Sequence, residues 1–223
     1  MALIHAAYTF DAQGFHRELE AKLIVNNQLR LEVLYDLAAS VVAAPSATTQ
    51  EILDLLRLDA ELLEPPTEED VSYTDAWYMI VLADKLTPAP SLSHRCLVSH
   101  LVLQYGLPLL GWSADEIRLL LSGEPMHRLI EAFGHPLFVA EFWCNEYGGW
   151  LSIERAAPLL SRLLLVENFF PSPLLEARKE ITDLAGWWSR SPAELLSQAY
   201  ADAREMLETS LARKQSLFLG VFD

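Results

Sequence analysis

The sequence is short of most parts from which catalytic and cofactor sites are built. It has 2 cysteines and 9 glycines in 223 residues. Cys96 and Cys144 stand far apart in apolar surroundings, so they make neither a CxxC pair nor a zinc spacing and read as buried structural thiols. There is no glycine-rich phosphate loop, no GxSxG elbow, no HExxH and no EF-hand loop. No cofactor and no metal are therefore expected. A site assembled only in three dimensions leaves no such signature, so an enzyme stays the alternative.

Positive charge is also scarce. Sixteen Lys and Arg stand against 31 Asp and Glu, a net charge of −15. Such a field repels phosphate backbones, and no local cluster of Lys and Arg offsets it, which excludes nucleic acid as a partner. The acids are dispersed over helix faces instead of forming the dense rows of a DNA mimic. The N-terminus, MALIHAAYTFD, has neither a basic n-region nor a sustained apolar h-region. No signal peptide is expected, and a cytoplasmic protein with reduced thiols is the expectation.

One long stretch lacks charge altogether: Cys96 to Ala114, bracketed by Arg95 and Asp115. About 20 apolar residues suffice to span a bilayer, so the length is marginal. His100, Gln104, Gly106, Pro108 and Ser113 interrupt it, and Pro108 removes a backbone donor and clashes with the preceding turn. Neither flank carries the cluster of Lys and Arg expected of a span. The stretch is read as core: a buried helix from Ser91 to Tyr105, a tight connection from Gly106 to Trp112, and a new helix from Ser113.

What the chain does have is apolar surface. Hydrophobic residues make up 52% and the mean hydropathy is +0.17. That is high for a monomer without a membrane span, and part of it is expected in a subunit interface, giving a homo-oligomer.

Helix punctuation is dense. Asp11 reads as the cap of a first helix, and Leu29, Val33, Leu34, Leu37 and Val41 recur at helical spacing. Thr48 or Thr49 is expected to cap a helix running to Pro65–Pro66. The next helix shows a stripe of Trp77, Ile80 and Val81, and TPAPS at 87–91 reads as a rigid turn. Ser113 and Glu116 form a capping box closed by Gly123, and a short helix runs from Pro125 to Phe133. Ser152 opens a helix to Leu165, NFFPSP interrupts, and Leu174 to Trp188 resumes. Ser191-Pro192-Ala193-Glu194 combines a capping box with Pro at the first position of a helix to Lys214. The two ends, Ala2–Phe10 and Ser216–Phe222, read as a small β-pair, with helix extensions or tails as the other reading. A likeness between residues 89–98 and 157–166 is read as chance between Leu-rich segments.

The expected fold is predominantly all-α, an irregular multi-helix bundle of about eight to ten helices in one domain over residues 1–223, subdividing if anywhere at 87–91. His94 and His100 are too far apart in register for a helical zinc pair, and His127 with Glu131 is a common exposed spacing. The densest set of reactive and aromatic groups is His135, Phe138, Glu141, Phe142, Trp143, Cys144, Glu146, Tyr147 and Trp150. A Cys144 nucleophile with His135 as base would need an electropositive setting, and this one is acidic and aromatic. No catalytic residue is therefore assigned. The expected function is a non-catalytic protein-interaction or regulatory role, through a protein partner or self-association and with no membrane. The alternative is a small-molecule pocket or active site around residues 135–150.

Overall fold

The computed structural model describes residues 4–25, 28–65, 74–90, 98–132 and 148–222. The chain is predominantly helical, with eleven α-helices among the described residues. It divides into two compact units, one of residues 1–9, 88–124 and 149–223, the other of residues 10–87 and 125–148.

The second of these holds five helices: α1 (Ala12–Leu23), α2 (Leu31–Ala43), α3 (Ala47–Leu56), α4 (Thr74–Ala83) and α7 (Met126–Ala132). Asp11 caps α1 as expected, its carboxylate accepting from the Gly14 amide at 2.9 Å. For α3 the cap is Ser46, not Thr48 or Thr49. Ser46 is the first residue after Pro45 able to accept from a helix amide. Its hydroxyl meets the Thr49 amide at 3.0 Å, which makes Thr49 a first-turn residue. The same helix stops at Leu56, ahead of the expected Pro65, because Arg57 adopts the left-handed conformation (φ 55°) and Leu58 donates back to Leu53.

Helix α4 is buried at all ten positions, where the spacing predicts a single stripe. Both α2 and α3 pack on it, which leaves no wet face. Its Trp77 donates Nε1–H to the Leu62 carbonyl at 3.1 Å and meets the Tyr35 ring edge-on at 5.5 Å. Residues 24–25 and 28–29 form a two-stranded ribbon, β2 and β3.

The other unit is built on a five-stranded sheet with six helices: α5 (Val98–Gly106), α6 (Ala114–Ser122), α8 (Ile153–Leu165), α9 (Pro173–Glu176), α10 (Lys179–Trp187) and α11 (Pro192–Arg213). The sheet order is β4 (Thr87–Ala89), β1 (Ile4–Phe10), β7 (Ser216–Phe222), β6 (Gly149–Leu151), β5 (Glu124–Pro125). The two chain ends thus pair as neighbours, but inside a larger sheet than the sequence suggests. Residues 216–220 of β7 are buried without alternation, as expected for a central strand covered on both faces. β6 runs antiparallel to β7, with Trp150 opposite Phe218.

The segment read as a turn, TPAPS, instead supplies β4 at the sheet edge. Pro88 is tolerated there because an edge strand has amides that need no partner strand. Ala89 therefore ends a strand while Ala157 lies within α8, so the likeness between 89–98 and 157–166 does not extend to the structure of these two positions.

Around the charge-free stretch, α5 ends at Gly106, a 3-10 turn covers Leu107–Leu110, and α6 starts behind its Ser113 capping box, with Gly123 closing it. Val102, Leu103 and Leu107 are fully buried there. Helix α11 is the organising element, with α5, α8, α9 and α10 all packed on it. Both parts of its Ser191 and Glu194 capping box are formed, at 2.8 and 3.2 Å. The expected single helix over 174–188 is two pieces, α9 and α10, broken at Ala177 and Arg178.

Candidate functional site

Of the residues singled out in the sequence, His135, Phe138, Glu141, Phe142, Trp143, Cys144, Glu146 and Tyr147 lie outside the described residues, as does His94. Trp150 is described. It sits in β6, buried, with its indole N–H unpartnered among the described residues. It is thus part of the sheet core.

Several buried polar groups elsewhere have structural partners. In the sheet-containing unit His5 Nε2 lies 3.0 Å from the Leu121 carbonyl oxygen, and the His5 and His100 ring centroids are 5.8 Å apart. Burial, and for His5 the neighbouring His100, hold them down to about 3 and about 4, so both rings are neutral at pH 7. Next to His100 in sequence, Ser99 donates its hydroxyl proton to Asp202 at 2.6 Å, and Gln198 donates to the other Asp202 oxygen at 2.5 Å. This clasp ties α5 to α11 and commits the serine proton to a carboxylate. In the helical unit Tyr78 and His16 are hydrogen-bonded at 3.0 Å beneath Phe15. No group of three or more His, Cys, Asp or Glu side chains converges as a metal site among the described residues.

A pocket of about 160 Å³ opens in the helical unit between α1, α2 and α4, floored by Phe15, Leu19 and Val81. Glu18 and Lys22 on its rim pair with each other at 2.7 Å. Ligand pockets usually enclose about 300–1,000 Å³, and this one is well below that range.

The unusual feature is apolar surface left in water. Trp187 is 81% exposed, Leu165 76%, Leu174 60%, Phe169 52%, Trp188 44% and Leu164 41%. All six fall between residues 164 and 188 of the sheet-containing unit, on α8, α9, α10 and the 3-10 turn Glu167–Phe169.

These side chains are held out by their neighbours. Leu163 is fully buried beside Leu164 and Leu165, Phe170 is buried beside Phe169, Leu175 beside Leu174, and Leu184 and Ala185 sit one turn before the tryptophans. Phe170 packs on Tyr200 of α11 at 5.7 Å, and Arg204 of α11 reaches Glu167 at 3.0 Å, so α11 fixes the turn that presents Phe169. At the end of α10, Ser189 takes the left-handed conformation (φ 52°) and the Arg190 amide donates to the Ala185 carbonyl at 3.0 Å. The Ser191 capping box follows at once, which leaves Trp187 and Trp188 on a rigid last turn.

No protein family, no curated protein and no solved structure matches this chain. Charge singles out the same region. Residues 151–190 hold five basic and five acidic side chains, so the entire net charge of −15 resides in the rest of the chain.

The sequence reading runs a helix from Ser152 to Leu165 and singles out none of its leucines as surface. The available signal was the run Leu163-Leu164-Leu165-Val166. Consecutive helical residues turn by about 100° each, so four apolar residues in a row cannot all face one core.

Proposed function

We propose that this chain is a non-catalytic protein-interaction protein, cytoplasmic, whose working surface is the apolar face on α8, α9 and α10. The observation that carries this reading is the 81% exposure of Trp187 on a helix end locked by a left-handed stop and a capping box. Tryptophan is among the residues most often found at the energetic centre of protein interfaces. Together the six exposed side chains offer more than three whole side chains of surface, on the order of 700 Å² at roughly 200 Å² each. Rigid presentation also lowers the ordering cost of binding.

A photo-crosslinking amino acid at position 187, compared with one at the exposed position 205 of α11, tests this in the native host. Protein adducts at 187 and none at 205 are expected. Equal or absent crosslinking at the two positions would remove the apolar face as the functional surface.

A further inference from the structure

We propose that the exposed side chains of Leu164, Leu165, Phe169, Leu174, Trp187 and Trp188 are covered by a second copy of this chain, docked about a two-fold axis. This rests on the interaction reading above and names its partner. The first argument is size. The six side chains expose on the order of 700 Å², close to the roughly 800 Å² per partner that a stable standard interface buries.

The second argument is charge. Two copies of a chain at −15 repel one another wherever acidic surfaces meet, and charges within about 8 Å are not screened away at physiological salt. Residues 151–190 are the exception, with equal numbers of each sign. An isologous contact through this segment sets apolar side chains and balanced charge against their own copies, whereas the rest of the chain carries the net negative charge. A basic partner would find no net negative charge on this segment itself. Large aromatic and apolar side chains such as those exposed here are what the core of a homodimer interface is enriched in.

The full chain examined by sedimentation velocity from about 1 to 100 μM should pass from the 25.1 kDa monomer to twice that mass. Leu165→Asp and Trp187→Asp each sit at exposed positions, so circular dichroism should be unchanged while the midpoint rises at least about ten-fold. Glu205→Gln, on the exposed face of α11, should leave the midpoint where it is. Wild-type protein that stays monomeric, or a dimer indifferent to both aspartates, would overturn the proposal. A monomer that still crosslinks at position 187 to a different protein overturns only the second copy as partner. A monomer with no adduct at 187 removes the interaction reading as well.

Discussion

His5 of β1 and His100 of α5 face each other with ring centroids 5.8 Å apart, and His5 is completely buried. Their proton affinities are depressed by burial to about 3 and about 4. An unfolded chain takes up a proton at each near pH 6.5, whereas the folded chain stays neutral to far lower pH. The unfolded state therefore binds more protons, and stability is complete above about pH 6.5 and falls as pH drops toward the folded values. At pH 5 the loss should approach about 2 kcal/mol for each histidine. Urea melts at pH 7.5 and 5.0 measure it, and His100→Leu should remove about half of the difference. Equal stability at the two pH values would show that the pair is protonated or solvated in the folded protein.

Leu103 is fully buried and Leu101 only partly. Leu103→Ala should cost about 2–5 kcal/mol through lost transfer energy and the cavity left behind, and Leu101→Ala less. Denaturant midpoints for the two variants check the order. Equal, small effects would contradict the placement of the charge-free stretch in the core.

Gly123 and Gly111 separate two costs. Both have positive φ, 70° and 78°. A Cβ at Gly123 would stand 2.6 Å from the Trp150 carbonyl oxygen, whereas nothing lies within 4 Å of one at Gly111. Gly111→Ala should cost about 1–2 kcal/mol of backbone strain alone. Gly123→Ala should cost clearly more, because the backbone of β6 must move. Thermal melts that rank the two equally would contradict the contact between the end of α6 and β6.

Much of the helical framework was legible in the residues. Capping boxes at Ser113 and Ser191, the Asp11 cap and the Ser152 start were each written in local chemistry that the packing leaves intact. Helix stops were less legible where left-handed residues carry a side chain, as at Arg57, since only glycine announces that conformation in sequence. The sheet was hidden for a different reason. β4, β5 and β6 are two or three residues long, too short to show a period, and become strands only through their sheet neighbours, β4 on β1, β6 on β7 and β5 on β6. The run Leu163-Leu164-Leu165-Val166 signals that some apolar side chains must face out, but which of them does so is a tertiary property.

Salt provides a further expectation. If apolar burial holds the copies together, raising NaCl from about 0.1 to 1 M should leave dimerisation unchanged or strengthen it, because screening weakens the repulsion between acidic bodies. Sedimentation at both concentrations distinguishes this from a contact held by ion pairs, which would dissociate.

The most direct measurement is acrylamide quenching of tryptophan fluorescence during dilution from about 100 to 1 μM, the range that spans a micromolar dissociation constant. Trp77, Trp112 and Trp150 are buried in the chain itself, and the part of a change that is lost on replacing Trp187 and Trp188 reports on those two. Quenching should rise on dilution as the apolar face is uncovered, and Trp187→Ala with Trp188→Ala should abolish the rise. Quenching that is constant across the range in the wild-type chain would contradict an apolar face covered by a second copy.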